Sequence, residues 1–194
     1  MKGETGVSCT KIAEELGQLS VQVRKDLAIT GISGRPKIGY KIDDLIEAIE
    51  AFLGWNVKTR AFLIGAGSLG SAILGYQGFS AFGLEIVAAF DTNKEKLGTV
   101  IHGCPVHHID KLTCMGLDKK IDIGILTVPA KAAQSVAKLL VDVGVRGIWN
   151  YTPVRLELPS HIVCEQVKLS ASFAVLSRAL ITNRQQHNNS REHK

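Results

Sequence analysis

Four apolar residues, Ala61-Phe62-Leu63-Ile64, run directly into Gly65-Ala66-Gly67-Ser68-Leu69-Gly70, a Gly-x-Gly-x-x-Gly spacing. Leu69, Ala72, Ile73 and Tyr76 then follow at helical intervals. A continuous apolar run suits a parallel strand covered on both faces. The glycines divide the work after it. Gly65 permits a tight turn, Gly67 lets backbone approach a pyrophosphate, and Gly70 lets the new helix pack closely on the sheet. N–H groups and the positive dipole end at the helix start favour an anion there, which brings Ala66, Ser68 and Leu69 into the expected site.

A second apolar strand, Glu85 to Phe90, ends in Asp91. This is the position of the acid that receives ribose hydroxyls in a βαβ unit. A carboxylate there accepts from both hydroxyls and repels a 2′-phosphate. The nearest cations are Lys94 and Lys96, so the pattern favours NAD(H) over NADP(H). Further apolar strands are expected at Ile121 to Val128, Gly147 to Asn150 and Ile162 to Val167. Open α/β sheets bind ligands outside the carboxyl ends of their strands, which makes Thr127 and Asn150 candidates to face the cofactor. Thr127 has a plainer reading as a cap for the helix from Lys131 to Val143.

Two other groupings are chemically suggestive. His102-Gly103-Cys104-Pro105-Val106-His107-His108 looks like a metal cluster, but Pro105 and Val106 suit a short edge strand, which sends neighbouring side chains to opposite faces. No metal is expected. The four cysteines (Cys9, Cys104, Cys114, Cys164) form no Cys-x-x-Cys pair and read as free thiols of a reducing cytoplasm. At 194 residues and 45% hydrophobic content the chain has material for one large domain, or a medium and a small one. No apolar run approaches the ~20 residues of a membrane span, and Met1 to Cys9 lacks a secretory apolar core. A net charge of +5 permits nucleic-acid binding without requiring it.

The segment before the glycine loop reads as helix-turn-helix. Ser8 caps a helix through Leu16 that Gly17 ends, Gln18-Leu19 turn the chain, and Ser20 caps a second helix, Val21 to Ile29. Ile12, Leu16, Leu19, Val23 and Leu27 are the expected small core. Gln22, Arg24 and Lys25 lie off the apolar face of the second helix, and such residues read bases or hold phosphates. Gly31 to Gly39 contains three glycines and one proline and suits a tight β-wing, with Arg35 and Lys37 at its tip. Between Val21 and Ile42 the chain carries a local net charge of +4. Asp43 caps an amphipathic helix through Leu53, ended by Gly54. At the other end, Leu169 to Ile181 carries an apolar stripe of Leu169, Phe173, Leu176 and Leu180, suited to core or to a dimer contact. The polar stretch from Asn183 to Lys194 is expected to be disordered.

The fold class is therefore α/β: a Rossmann-type doubly wound parallel sheet preceded by a winged-helix domain and followed by a terminal helix. The expected divisions are 1–54, 55–166, 167–182 and 183–194. With these motifs in hand, the chain resembles the Rex family of bacterial redox-sensing transcriptional repressors. The most specific stretches are Gln22-Val23-Arg24-Lys25-Asp26-Leu27, Ile38-Gly39-Tyr40, Leu53-Gly54-Trp55, Gly65 to Gly70, Ala88-Ala89-Phe90-Asp91, Ile125-Leu126-Thr127-Val128-Pro129 and Pro153-Val154-Arg155-Leu156.

The resemblance implies a homodimer with its terminal helix swapped between subunits, bound to a palindromic operator and released as NADH rises against NAD⁺. It assigns Gln22, Arg24 and Lys25 to a recognition helix, Arg35, Lys37 and Tyr40 to the wing region, and Gly65 to Gly70 with Asp91 to NAD. Two departures stand out. The family carries a further amphipathic helix ahead of Val7-Ser8, where this sequence has only Met1 to Gly6. It also commonly has an acidic residue where this chain has Lys168.

Two other functions compete. An NAD-dependent oxidoreductase needs an acid or base beside the nicotinamide, and the segments 127–130 and 150–152 offer only Tyr151. A nucleotide-binding interaction protein without DNA binding is the other, including a CoA-binding form that Asp91 disfavours.

Overall fold

The computed structural model describes residues 6–36 and 38–192; Lys37, assigned above to the wing, lies outside the described residues. The chain runs β1 (Gly6–Val7), α1 (Cys9–Leu16), α2 (Ser20–Ile29), β2 (Tyr40–Lys41), α3 (Ile42–Leu53), β3 (Thr59–Ile64), α4 (Ser68–Leu74), α5 (Gly78–Ala81) and β4 (Leu84–Asp91). It continues through β5 (Val100–Ile101), β6 (Cys104–His108), α6 (Leu112–Lys119), β7 (Ile123–Leu126), α7 (Ala130–Asp142), β8 (Gly147–Asn150), β9 (Val163–Gln166) and α8 (Leu169–Glu192). It divides into two compact units. One is the chain up to Thr59 with Gln77–Glu85; the other is Arg60–Tyr76 with the chain from Ile86 onward. The first therefore reaches past residue 54, where the boundary was expected. Its extension is bound in by the tilted rings of Trp55 and Phe82, with centroids 4.2 Å apart, and by Thr59 N–H donating to the Gly83 carbonyl.

In the first unit, Ser8 caps α1 by accepting from Lys11 N–H at 3.1 Å, and Gly17 ends it with a φ of 62°. The second cap differs from expectation: α2 begins at Ser20 itself, with Leu19 in the capping position and no side-chain bond. Asp43 likewise sits inside the first turn of α3, with Lys41 at the cap. β1 pairs antiparallel with β2, Val7 opposite Tyr40, and Arg35 bridges Gly39 across the wing turn. Gly39 has a φ of 83°, and a Cβ there would overlap the Val7 carbonyl, so only glycine allows that approach. Val7, Tyr40 and Leu45 form the core, with Ile12, Leu27 and Ile49 packed on it. Leu19, expected in that core, is 78% exposed, as Leu16, Phe52 and Leu53 are exposed too.

The second unit carries a seven-stranded sheet in the order β5-β6-β4-β3-β7-β8-β9. β3 pairs parallel with β7, β7 with β8, β8 with β9 and β4 with β6, whereas β5 is antiparallel to β6. From β6 to β9 this is the doubly wound order, which reverses direction between β3 and β7. The segment Cys104–His108 is thus the second strand in, not an edge, because β5 covers it. Strand interiors are buried on both faces: Phe62, Leu63, Ile64, Phe90, Ile125 and Leu126 are at most 1% exposed. Gly124 lets α7 sit against the sheet, since a Cβ there would overlap Leu140.

α8 departs from expectation in length. It runs through Glu192, across most of the stretch expected to be disordered. That stretch holds no glycine or proline, so no strong breaker stops a helix already nucleated before it. Phe173, Leu176 and Leu180 of its stripe are exposed in the single chain.

Candidate dinucleotide and nucleic-acid sites

The glycine loop joins β3 to α4 at the reversal of the sheet. Gly65 has a φ of 99°, and a Cβ on it would lie 2.7 Å from the Thr127 carbonyl oxygen. A Cβ on Gly70 would overlap the Gly65 carbonyl. Gly67 is different: a Cβ there meets nothing within 4 Å. The first and third glycines are thus demanded by the fold, whereas the fold leaves open space at the second. Gly67 is the N-cap of α4 and brings no side-chain bond to its first turn, which leaves backbone to meet an anion.

Asp91 closes the site at the end of β4. Its Oδ2 accepts from Ala66 N–H at 2.9 Å and its Oδ1 from Asn93 N–H at 2.8 Å. The carboxylate is therefore fixed against the loop, with remaining lone pairs to receive ribose hydroxyls. Lys96 was noted in the sequence only as a nearby cation. Its Nζ donates to the Ala66 carbonyl at 2.8 Å and stands 3.7 Å from Asp91 Oδ2. The signal was its place in the short turn after the acid, but the reach of its side chain was not readable.

Two expected cofactor contacts have other employment. Thr127 Oγ1 donates to the carbonyls of Gly65 and Ile64, at 2.7 and 3.0 Å. Its one proton serves the loop backbone. Asn150 is fully buried and fully used: its Nδ2 donates to Val154 O and Gln166 Oε1, and its Oδ1 accepts from Thr152 N–H and Oγ1. It shapes the turn after β8 rather than facing a ligand. Gln166 completes that network by donating to the carbonyls of Asn150 and Thr152, a role no local motif announces. Beside this turn lies a cleft of about 920 Å³ lined by Tyr151, Arg155, Leu156, Cys164 and Lys168. Burial raises the Tyr151 phenol above its ordinary value, which makes it a poor base near neutrality. Among the described residues no group of three or more His, Cys, Asp or Glu is placed to hold a metal, and none of the helices is long and apolar enough to cross a membrane.

In the first unit α2 presents Gln22, Arg24 and Lys25 to solvent while Val23 is buried. Gln22 Nε2 donates to Asp26 Oδ1 at 2.7 Å, which leaves its second N–H and its Oε1 without a part in that bond. Arg35 is exposed at the wing turn. Tyr40 belongs elsewhere. The residue is 7% exposed and its hydroxyl accepts from the Cys9 thiol at 3.7 Å. That bond and burial raise its phenol above the ordinary range. Tyr40 supports the wing from beneath, and its burial leaves it no exposed face for DNA.

A doubly wound sheet with a glycine-rich first turn and an acid at the end of its second strand defines a Rossmann-type domain, here following in sequence a small helix-turn-helix unit with a β-wing turn. The CoA binding domain family matches residues 56–154. A Treponema denticola protein, "Redox-sensing transcriptional repressor Rex", is 48% identical over 178 residues, 92% of this chain and 85% of its own length. Its Bacteroides thetaiotaomicron namesake is 42% identical over 94% of this chain and 83% of its own. RSP, a Rex-family repressor, superimposes with a TM-score of 0.85 at 31% identity, over 95% of this chain and 86% of that one. RSP with β-NAD⁺ and operator DNA matches with the same TM-score at 32% identity, covering 95% and 85%. The chain belongs to the Rex family of redox-sensing transcriptional repressors. That family membership sets it among repressors rather than enzymes.

Proposed function

We propose that this chain is an NADH-responsive repressor: the second unit binds NAD(H) over Gly65, Ala66, Gly67, Ser68, Leu69 and Gly70 with the ribose on Asp91, and the first binds a palindromic operator. The single observation that carries the cofactor half is the Asp91 carboxylate held on Ala66 N–H beside an open Gly67. Thr127 and Asn150 contribute by holding the loop and the turn after β8. When bound, the dinucleotide supplies a redox-dependent charge on its nicotinamide ring, and the protein's part is to bind its two forms unequally. Only the form with differential affinity for the released state shifts the equilibrium.

For DNA, Arg24, Lys25 and Gln22 of α2 enter the major groove, with Arg35 and Lys37 of the wing on the backbone or minor groove. RSP has been solved with operator DNA, which supports this reading. The exposed stripe of Phe173, Leu176 and Leu180 suits a homodimer formed through α8, and two-fold symmetry matches a palindrome. Such a protein works in the cytoplasm, beside its DNA.

The test is a mobility-shift titration with a pool of short palindromic duplexes at low salt, repeated with NADH and with NAD⁺. Shifted complexes that NADH dissolves and NAD⁺ spares are the expected result. No shift at low salt, where phosphate contacts are strongest, would overturn the DNA half and leave a dinucleotide-binding protein.

A further inference from the structure

Lys96 stands where the glycine loop meets the ribose acid. It ends the tight turn Lys94–Lys96, which Asn93 caps by accepting from Glu95 N–H at 3.1 Å. From there its ammonium reaches back to the Ala66 carbonyl at 2.8 Å and to within 3.7 Å of Asp91 Oδ2. Ala66 donates its own N–H to that same Oδ2. One cation thus touches both the loop that receives the pyrophosphate and the acid that receives the ribose. The pair is sheltered: the side chains are 33% and 14% exposed, so their interaction is less screened than between free surface charges.

We propose that Lys96 sets the discrimination between NADH and NADPH, an inference that rests on the dinucleotide reading above. Asp91 alone would disfavour a 2′-phosphate by charge repulsion. Lys96 offsets that charge at close range. An ammonium has three donors, and the Ala66 carbonyl engages one, so donors remain for phosphate oxygens. The consequence is graded selectivity: this chain prefers NADH but admits NADPH at a modest penalty, and the penalty is set by Lys96 as much as by Asp91.

The experiment is equilibrium titration of the full chain with NADH and with NADPH, for the native protein, Lys96→Met and Lys96→Arg, with ligand-free melting curves for each. Lys96→Met keeps the stem and removes the charge. It is expected to raise the NADPH/NADH ratio of dissociation constants by about tenfold, as loss of a hydrogen bond to a charged group would, on top of whatever common weakening the lost Ala66 contact brings to both nucleotides. Lys96→Arg keeps the charge and is expected to stay nearer the native ratio. An unchanged ratio in Lys96→Met, with NADH binding intact, overturns the role of Lys96 alone. Equal weakening of both nucleotides with a lowered melting temperature also overturns it, by showing a structural role. A native chain that binds neither nucleotide overturns the dinucleotide reading, and this inference with it.

Discussion

Thr127 Oγ1 lies 2.7 Å from the Gly65 carbonyl oxygen and donates to it, so the end of β7 holds the glycine turn that leaves β3. The same residue's backbone N–H donates to Ile64 O, and its backbone carbonyl oxygen would stand 2.7 Å from a Cβ on Gly65. Thr127→Val keeps the shape and removes the hydroxyl, leaving the Gly65 carbonyl without that donor. The expected cost is about 1 kcal/mol of stability, the net worth of one hydrogen bond. NADH affinity should fall several-fold because the loop loosens. Denaturant unfolding and NADH titration check both; unaltered affinity would mean that the turn is held well enough by backbone bonds alone.

The three glycines separate folding from binding. Gly70→Ala forces a Cβ into the Gly65 carbonyl, next to Leu63 and Thr127. It should destabilise the second unit by about 2–4 kcal/mol, in the range of overpacking with backbone displacement. Gly67→Ala has room and an ordinary backbone, with φ of −71°. Its melting temperature should stay near native while NADH binding drops at least tenfold, because the methyl occupies the approach of the pyrophosphate. Thermal melts beside titrations decide the matter. A Gly67→Ala protein that binds NADH normally would remove the pyrophosphate from that position.

Part of this geometry was legible from residue types. The turn at Gly65 and the close packing at Gly70 demand glycine at a set distance from an apolar strand, and Asp91 ends the next strand against the same loop. Thr127 and Asn150 were found at the right strand ends, but their side-chain directions depend on partners 62 and 16 residues away, Gly65 and Gln166. Such pairings leave no local periodicity. Lys96 escaped for the same reason, since its contact with Ala66 spans 30 residues. Tyr40 was misread because an exposed wing and a buried tyrosine share the same short segment. The alternation of β2, buried Tyr40 and exposed Lys41, resolves it.

His107 supplies a pH-dependent term. It lies on β6 with its ring 6.0 Å from that of Phe90. Burial, followed by the charges of Lys111 and Lys119, holds its imidazole below the ordinary value. The unfolded chain therefore takes up this proton at higher pH than the folded one. Stability from this group is fully present above the unfolded value of about 6.5 and declines as pH falls toward the folded value. Unfolding free energy should fall between about pH 7 and pH 5, and His107→Gln should flatten that decline. The same slope in the variant would assign the effect to other groups.

Arg24 and Tyr40 make opposite predictions about the first unit. Arg24 is exposed on α2, while Tyr40 is buried beside Val7 and Leu45. Arg24→Ala should leave the fold intact, weaken operator binding, and reduce the slope of log affinity against log salt by about one if the residue neutralises a phosphate. Should it instead read a guanine, the slope holds and preference at one operator position relaxes, at a cost of about 1–3 kcal/mol. Tyr40→Phe removes only the hydroxyl that the Cys9 thiol meets, and operator affinity should stay within about twofold, since the bond is weak and long. Tyr40→Ala opens a cavity in a small core and should cost about 3–5 kcal/mol, which unfolds the wing and abolishes binding at every salt concentration. Mobility shifts across a salt series, paired with circular dichroism melts, separate these outcomes. A folded Tyr40→Phe protein that loses operator binding would return Tyr40 to the DNA interface.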